Sequence, residues 1–229
     1  MIAAKNVTSI VRNVVAGVAA MAVALLLFFA PVGTFDFPQA WVYLGVTVAA
    51  NAVMFEYFRR SDPDLLKRRM ASPAGEKATS QKLLQAGAIL TIAGIVVISS
   101  LDHRFVWSRV PLPVEVAGYA LVVLGYLIYF IVFRENTFGG ATIVVVPDQK
   151  VIDTGPYAIV RHPMYVGLLV VFLGTPLALG SWWGLVMLVP TALILVLRIR
   201  YEEAFLTVEL PGYADYRRKV RYRIVPFLW

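Results

Sequence analysis

Residues 112–133 read Leu-Pro-Val-Glu-Val-Ala-Gly-Tyr-Ala-Leu-Val-Val-Leu-Gly-Tyr-Leu-Ile-Tyr-Phe-Ile-Val-Phe, a run whose sole charge is Glu115. Wound as an α-helix it is about 33 Å long, enough to cross the hydrocarbon core of a bilayer. Pro111 and Pro113 separate it from an earlier apolar run at 83–101. Further upstream lie apolar runs at 14–32, behind Lys5 and Arg12, and at 40–58, opened by Trp41 and Tyr43 at interface depth and followed by a polar stretch at 59–82 that reads as a loop. The first run is long for a signal peptide, and Pro31-Val32-Gly33 is a poor cleavage site, so it reads as an uncleaved helix. Downstream, residues 164–179 form a shorter run of about 24 Å, and Gly180-Ser181 turns the chain into a sixth that begins at Trp182. Thr175-Pro176 and Pro190 predict kinks in these last two, and helical character continues to about residue 210. The fold class expected is all-α: a polytopic membrane protein of about six transmembrane helices.

Composition agrees. Of 229 residues, 59% are hydrophobic and 15% charged, which excludes an ordinary soluble enzyme, a disordered tail and a disulfide-built module. The net charge of +7 is explained by basic loops facing anionic headgroups, and no basic, aromatic stripe on a soluble element calls for nucleic acid. There is no Cys, hence no disulfide, thiolate or Cys-built zinc site, and His103 and His162 are too few for a His-built metal centre. With the N-terminus inside, nineteen of the 21 Lys and Arg fall on the cytoplasmic side. The long loop 134–163 and the tail beyond Arg198 then share that side.

Three groups of residues stand out. In Asp153-Thr154-Gly155-Pro156-Tyr157-Ala158-Ile159-Val160-Arg161-His162-Pro163-Met164-Tyr165-Val166-Gly167, Gly155-Pro156 makes a turn and Pro163 opens the fifth membrane helix. The free N–H groups of that helix start can hold a carboxylate; the plainer reading is a basic, aromatic interface anchor. Arg198 and Glu202 lie one turn apart. Arg before Glu is the weaker order for an i,i+4 pair, so a functional role competes with a stabilising one. Last, Leu210-Pro211-Gly212-Tyr213-Ala214-Asp215-Tyr216-Arg217-Arg218-Lys219 reads as a turn and a short basic helix, either a polybasic anchor or a lid whose tyrosine faces suit a sulfonium. Dinucleotide, P-loop, nucleophile-elbow and H-E-x-x-H motifs are all missing.

Taken in order, G-P-Y-x-x-V-R-H-P-M-Y-x-G, the Gly-Ser-Trp-Trp turn, R-x-x-x-E-E-x-x-L and G-Y-x-x-Y-x-x-x-V resemble the isoprenylcysteine carboxyl methyltransferase family of integral membrane methyltransferases. The likeness covers about residues 134–229; before that it extends only to hydropathy and the Asp-Pro-x-Leu-Leu-x-x-Arg flavour of 62–69. It implies a scaffold with lipid-side substrate access in residues 1–133, and a catalytic region in 134–229 with a cofactor-binding loop and tail. It also implies S-adenosylmethionine as cofactor, held by Gln149, Lys150, Val151, Ile152, Tyr157, His162, Pro163, Met164, Tyr165 and Glu202, with Tyr213 and Tyr216 in a lid. Arg198 would orient a substrate carboxylate, and His162 is the other catalytic candidate. Gln149 departs from the His frequent at that position, which points to a bacterial-type branch and an inner-membrane location.

Methyl transfer to a carboxylate needs alignment and dry surroundings, with neither metal nor base, which a chain with this inventory can supply. A lipophilic acceptor would enter from the bilayer, and isoprenylcysteine-like O-methylation is the favoured expectation. Phospholipid N-methylation and small-thiol S-methylation are the alternatives, each needing a base such as His162 or a tyrosine. Two other classes are a sterol-reductase-like enzyme, separable by its cofactor, and a transporter, which predicts inverted repeats not seen here.

Overall fold

A computed structural model of the protein describes residues 2–70, 79–140 and 142–229, with backbone alone for 2–14 and 16; the middle of the polar stretch 59–82 lies outside them. Its described residues form eight α-helices: α1 (Ile2–Val32), α2 (Pro38–Ser61), α3 (Pro63–Arg69), α4 (Thr79–Phe105), α5 (Leu112–Glu135), α6 (Pro163–Ala178), α7 (Leu188–Glu209) and α8 (Tyr213–Lys219). Two 3-10 turns, Gly155–Ala158 and Trp183–Met187, precede α6 and α7. Four helical stretches are long and apolar enough to cross a membrane: α2, α4, α5 and Trp183–Glu209. Gly17–Val32 and α6 are shorter apolar helices. Leu83, Leu90, Leu112 and Val189 turn outward, each exposed, as lipid-facing residues do. The protein is an integral membrane protein.

Side-chain contacts sort the connections to two ends of the bundle. At one end, the Arg104 guanidinium donates to the Pro31 carbonyl, His103 meets the Asp36 carbonyl, and Trp182 donates to the Arg109 carbonyl. Buried Asp102 there accepts hydrogen bonds from Ser108 and Ser181. At the other end, Arg68 and Arg69 of α3 reach the carbonyls of Thr137 and Gly140, and Arg161 reaches the tail.

The most intimate helix pair is α5 with α6, and glycines make it so. A Cβ on Gly118 would stand 2.3 Å from the Ala178 nitrogen, one on Gly125 2.8 Å from the Gly167 carbonyl oxygen, and one on Gly174 2.6 Å from that of Gly118. Close backbone approach through small residues is how helices associate where lipid removes the hydrophobic drive.

Two expectations change in detail. Proline 190 falls in the first turn of α7, where its missing N–H costs nothing, and the irregularity expected there takes the form of the 3-10 turn before α7. The polar stretch after α2, read as loop, contains α3: Asp62 caps it by accepting the Leu65 N–H at 2.9 Å, and Pro63 starts it.

Candidate functional site

Between α4, α6, α7 and the loop 136–152 lies a cavity of about 390 Å³, within the ordinary range for small-molecule sites. Helix α7 passes out of the apolar bundle with Arg198, Glu202 and Leu206 on the cavity side. The start of α6 adds Met164 and Tyr165, and α8 covers the opening with Tyr213 and Tyr216. Gly212, at φ +85, makes the corner between α7 and α8, a conformation that any side chain would strain. Ile89 of α4 lines the cavity and is 58% exposed, so the chamber is open beside α4.

Arg198 and Glu202 are linked through a third residue. The Tyr165 hydroxyl donates to Glu202 Oε2 at 2.8 Å and accepts from Arg198 Nε at 3.2 Å. Arg198 Nη1 also donates to Gln81 Oε1 at 3.3 Å. Gln81 is itself fully buried at the start of α4, so it fixes the guanidinium from behind. The result is a carboxylate and a guanidinium held apart in one chamber by a phenol.

The neighbouring Glu203 points elsewhere, as helix geometry requires of adjacent residues about 100° apart. Glu203 is only 2% exposed; its Oε1 accepts from Arg161 Nε at 2.6 Å and lies 3.2 Å from His162 Nε2, while Oε2 accepts from Arg223 Nε at 3.0 Å. Arg161 Nη1 in turn donates to the carbonyls of Val220 and Arg221, and the Arg161 and His162 N–H groups donate to those of Tyr222 and Arg223. This charged knot ties the loop, α7 and the tail together. With Arg217 Nη2 also 3.9 Å from Oε2, the buried carboxylate has four cationic or polar partners and is satisfied; stripped of them it is costly.

The aromatic cover is equally fixed. Tyr216 donates its hydroxyl to the Tyr157 carbonyl at 2.8 Å, Asn136 donates to the Tyr157 hydroxyl at 3.0 Å, and Lys219 pairs with Asp153 at 2.7 Å. Burial pushes the Tyr157 phenol up to about 12 and those of Tyr213 and Tyr216 well above the usual phenol value. All three stay neutral at physiological pH and are poor bases. Gln149 turns its carbonyl back to accept the Val146 N–H at 3.0 Å, bracing the loop.

Of the residues singled out from sequence, Gln149, Lys150, Val151, Ile152, Tyr157, His162, Met164, Tyr165, Arg198, Glu202, Tyr213 and Tyr216 all line this one cavity. Pro163 does not: it is the first residue of α6, buried beneath the wall. His162 touches the cavity but engages Nε2 with Glu203. Sequence reasoning missed Arg69, Gln85 and Asn136 in the lining, together with the Glu203 knot. The signal for Arg69 is the Asp-Pro-x-Leu-Leu-x-x-Arg stretch of 62–69, which ends on it and gives it no role.

A membrane-embedded helical bundle with a walled chamber at one end, carrying a carboxylate and a guanidinium, defines the class, an integral membrane enzyme. Residues 114–210, less than half of the chain, match the family model for phospholipid methyltransferase (PEMT). That segment is thus similar to phospholipid methyltransferases, part of the broad membrane methyltransferase superfamily that also includes isoprenylcysteine carboxyl methyltransferases, and the chain is an S-adenosylmethionine-dependent methyltransferase. The narrower isoprenylcysteine assignment finds no support in that match. No curated protein matches the chain.

Proposed function

We propose that the protein methylates a membrane lipid, with a phospholipid headgroup amine as the acceptor, and that the cavity at the α6–α7 end holds the cofactor. The observation that carries this reading is the match of 114–210 to phospholipid methyltransferases, taken with a chamber open beside the apolar helix α4 at Ile89. The volume, the mostly apolar and aromatic lining and the single carboxylate Glu202 fit a nucleoside with a positively charged amino-acid tail. When bound, S-adenosylmethionine supplies a methyl group on a sulfonium.

The chain's own residues then have separate tasks. Glu202, oriented by Tyr165, meets positive or hydroxyl groups of the cofactor. Tyr157, Tyr213 and Tyr216 exclude water and offer ring faces to a cation. Arg198, steadied by Gln81, orients the anionic part of the acceptor. An amine must lose a proton before attack; with the phenols held protonated, the groups in reach are His162, backed by Glu203, and Glu202. Six helices cross the bilayer in this reading, with both chain ends and the cavity on the cytoplasmic side, following the bias of basic residues.

Arg198 favours one second reading, methyl transfer to a prenyl-thioether carboxylate, for which no base is required. Purified protein given methyl-labelled S-adenosylmethionine, total membrane lipids and a prenylated cysteine analogue decides between them. Label in an amine-bearing phospholipid is the expected result. Label confined to a base-labile ester of a prenylated cysteine analogue would replace it with the second reading.

A further inference from the structure

Arg69, the last residue of α3, projects from a helix that sequence reading takes for loop, and its side chain ends in the cavity wall. Its guanidinium lies over the Phe133 ring at 4.0 Å, and Nη1 donates to Met164 Sδ at 3.0 Å and, more weakly, to the Gly140 carbonyl at 3.4 Å. Nε is buried and has no hydrogen-bond partner among the described residues. Among the described residues no carboxylate comes within ion-pairing distance, whereas Arg161 and Arg223 in the same region share Glu203. Burial lowers its pKa, and Tyr157 and Glu202 across the chamber supply the opposing attraction. A guanidinium with planar donors fits a bidentate oxyanion; one that is buried, stacked and lacking its own counter-ion is a site for an anion brought by a ligand.

We propose that Arg69 is an oxyanion-binding residue of the cavity. It takes either the phosphate of the lipid acceptor or the carboxylate of the cofactor's amino-acid end, and so draws α3 into ligand recognition. The proposal deepens the function argued above and rests on it for the identity of the two ligands.

The test compares wild type, Arg69→Gln and Arg69→Lys in detergent by calorimetric titration with S-adenosylhomocysteine and, separately, with dihexanoyl phosphatidylethanolamine. Arg69→Gln is expected to weaken one of the two at least tenfold, with part of the loss recovered by Arg69→Lys. Loss of the first identifies the cofactor carboxylate, and loss of the second alone the acceptor phosphate. A parallel measurement needs no variant: either ligand should protect Arg69 of wild type from an arginine-specific dicarbonyl, read by peptide mass. Both affinities unchanged within twofold in Arg69→Gln, or labelling of Arg69 indifferent to both ligands, would overturn the proposal. Should wild type bind the homocysteine product and protect Arg69 yet methylate no phospholipid, the acceptor reading fails and the role of Arg69 stands.

Discussion

At the scale of single residues, two adjacent glutamates divide the work of α7. Glu203 holds the tail against the loop through Arg161, His162 and Arg223, whereas Glu202 faces the cavity through Tyr165. Glu203→Ala leaves buried cations uncompensated, and breaking such a group costs about 3–5 kcal/mol. A thermal unfolding scan in detergent should show a marked fall in midpoint for Glu203→Ala and little change for Glu202→Ala. Tyr165→Phe removes the hydroxyl that bridges Glu202 and Arg198. A carboxylate left short of one hydrogen bond loses about 1–3 kcal/mol, so binding of S-adenosylhomocysteine should weaken about ten- to hundredfold. Arg198→Ala should spare that binding and suppress turnover; unchanged turnover removes its proposed role.

At the scale of elements, the α5–α6 pair is the rigid spine on which the site is mounted. A Cβ at Gly118 would enter the backbone of α6 at Leu177 and Ala178, so Gly118→Leu should force the pair apart. Size-exclusion profile and thermal midpoint both check this. Gly17→Leu, with open space around it, should leave both unchanged. The long apolar helices were legible because twenty apolar residues in a row have few other uses; their ends agree with the hydropathy reading to within a few residues. Helix α3 was not, because seven residues with four charges carry no hydropathy signal, and only the Asp62 cap and Pro63 mark the start.

At the scale of the whole molecule, the cavity is assembled from segments far apart in the chain: Arg69, Gln85, the loop 136–152, α6, α7 and α8. The motif-bearing half of that list could be read from residue types, since G-P-Y, R-H-P-M-Y and R-x-x-x-E-E carry it locally. Gln85 could not, and Arg69 shows only as the last residue of Asp-Pro-x-Leu-Leu-x-x-Arg, because their membership depends on how α3 and the start of α4 pack against α6 and α7. Helical periodicity alone does not say which glutamate of the pair turns inward, since that depends on the rotation of α7 about its axis; the family resemblance names Glu202, and Glu202 lines the cavity. The tail is as much a part of the site as the motifs, since Tyr213 and Tyr216 close a chamber whose floor is Tyr165.

The central claim is that loop, α7 and tail fold around S-adenosylmethionine at one end of the bundle. Its most direct test is titration of the detergent-solubilised protein with S-adenosylhomocysteine, wild type beside Glu202→Ala. The account predicts saturable one-to-one binding by wild type and none by a Glu202→Ala protein that retains its thermal midpoint; equal affinity in the two, or no binding by folded wild type, contradicts it.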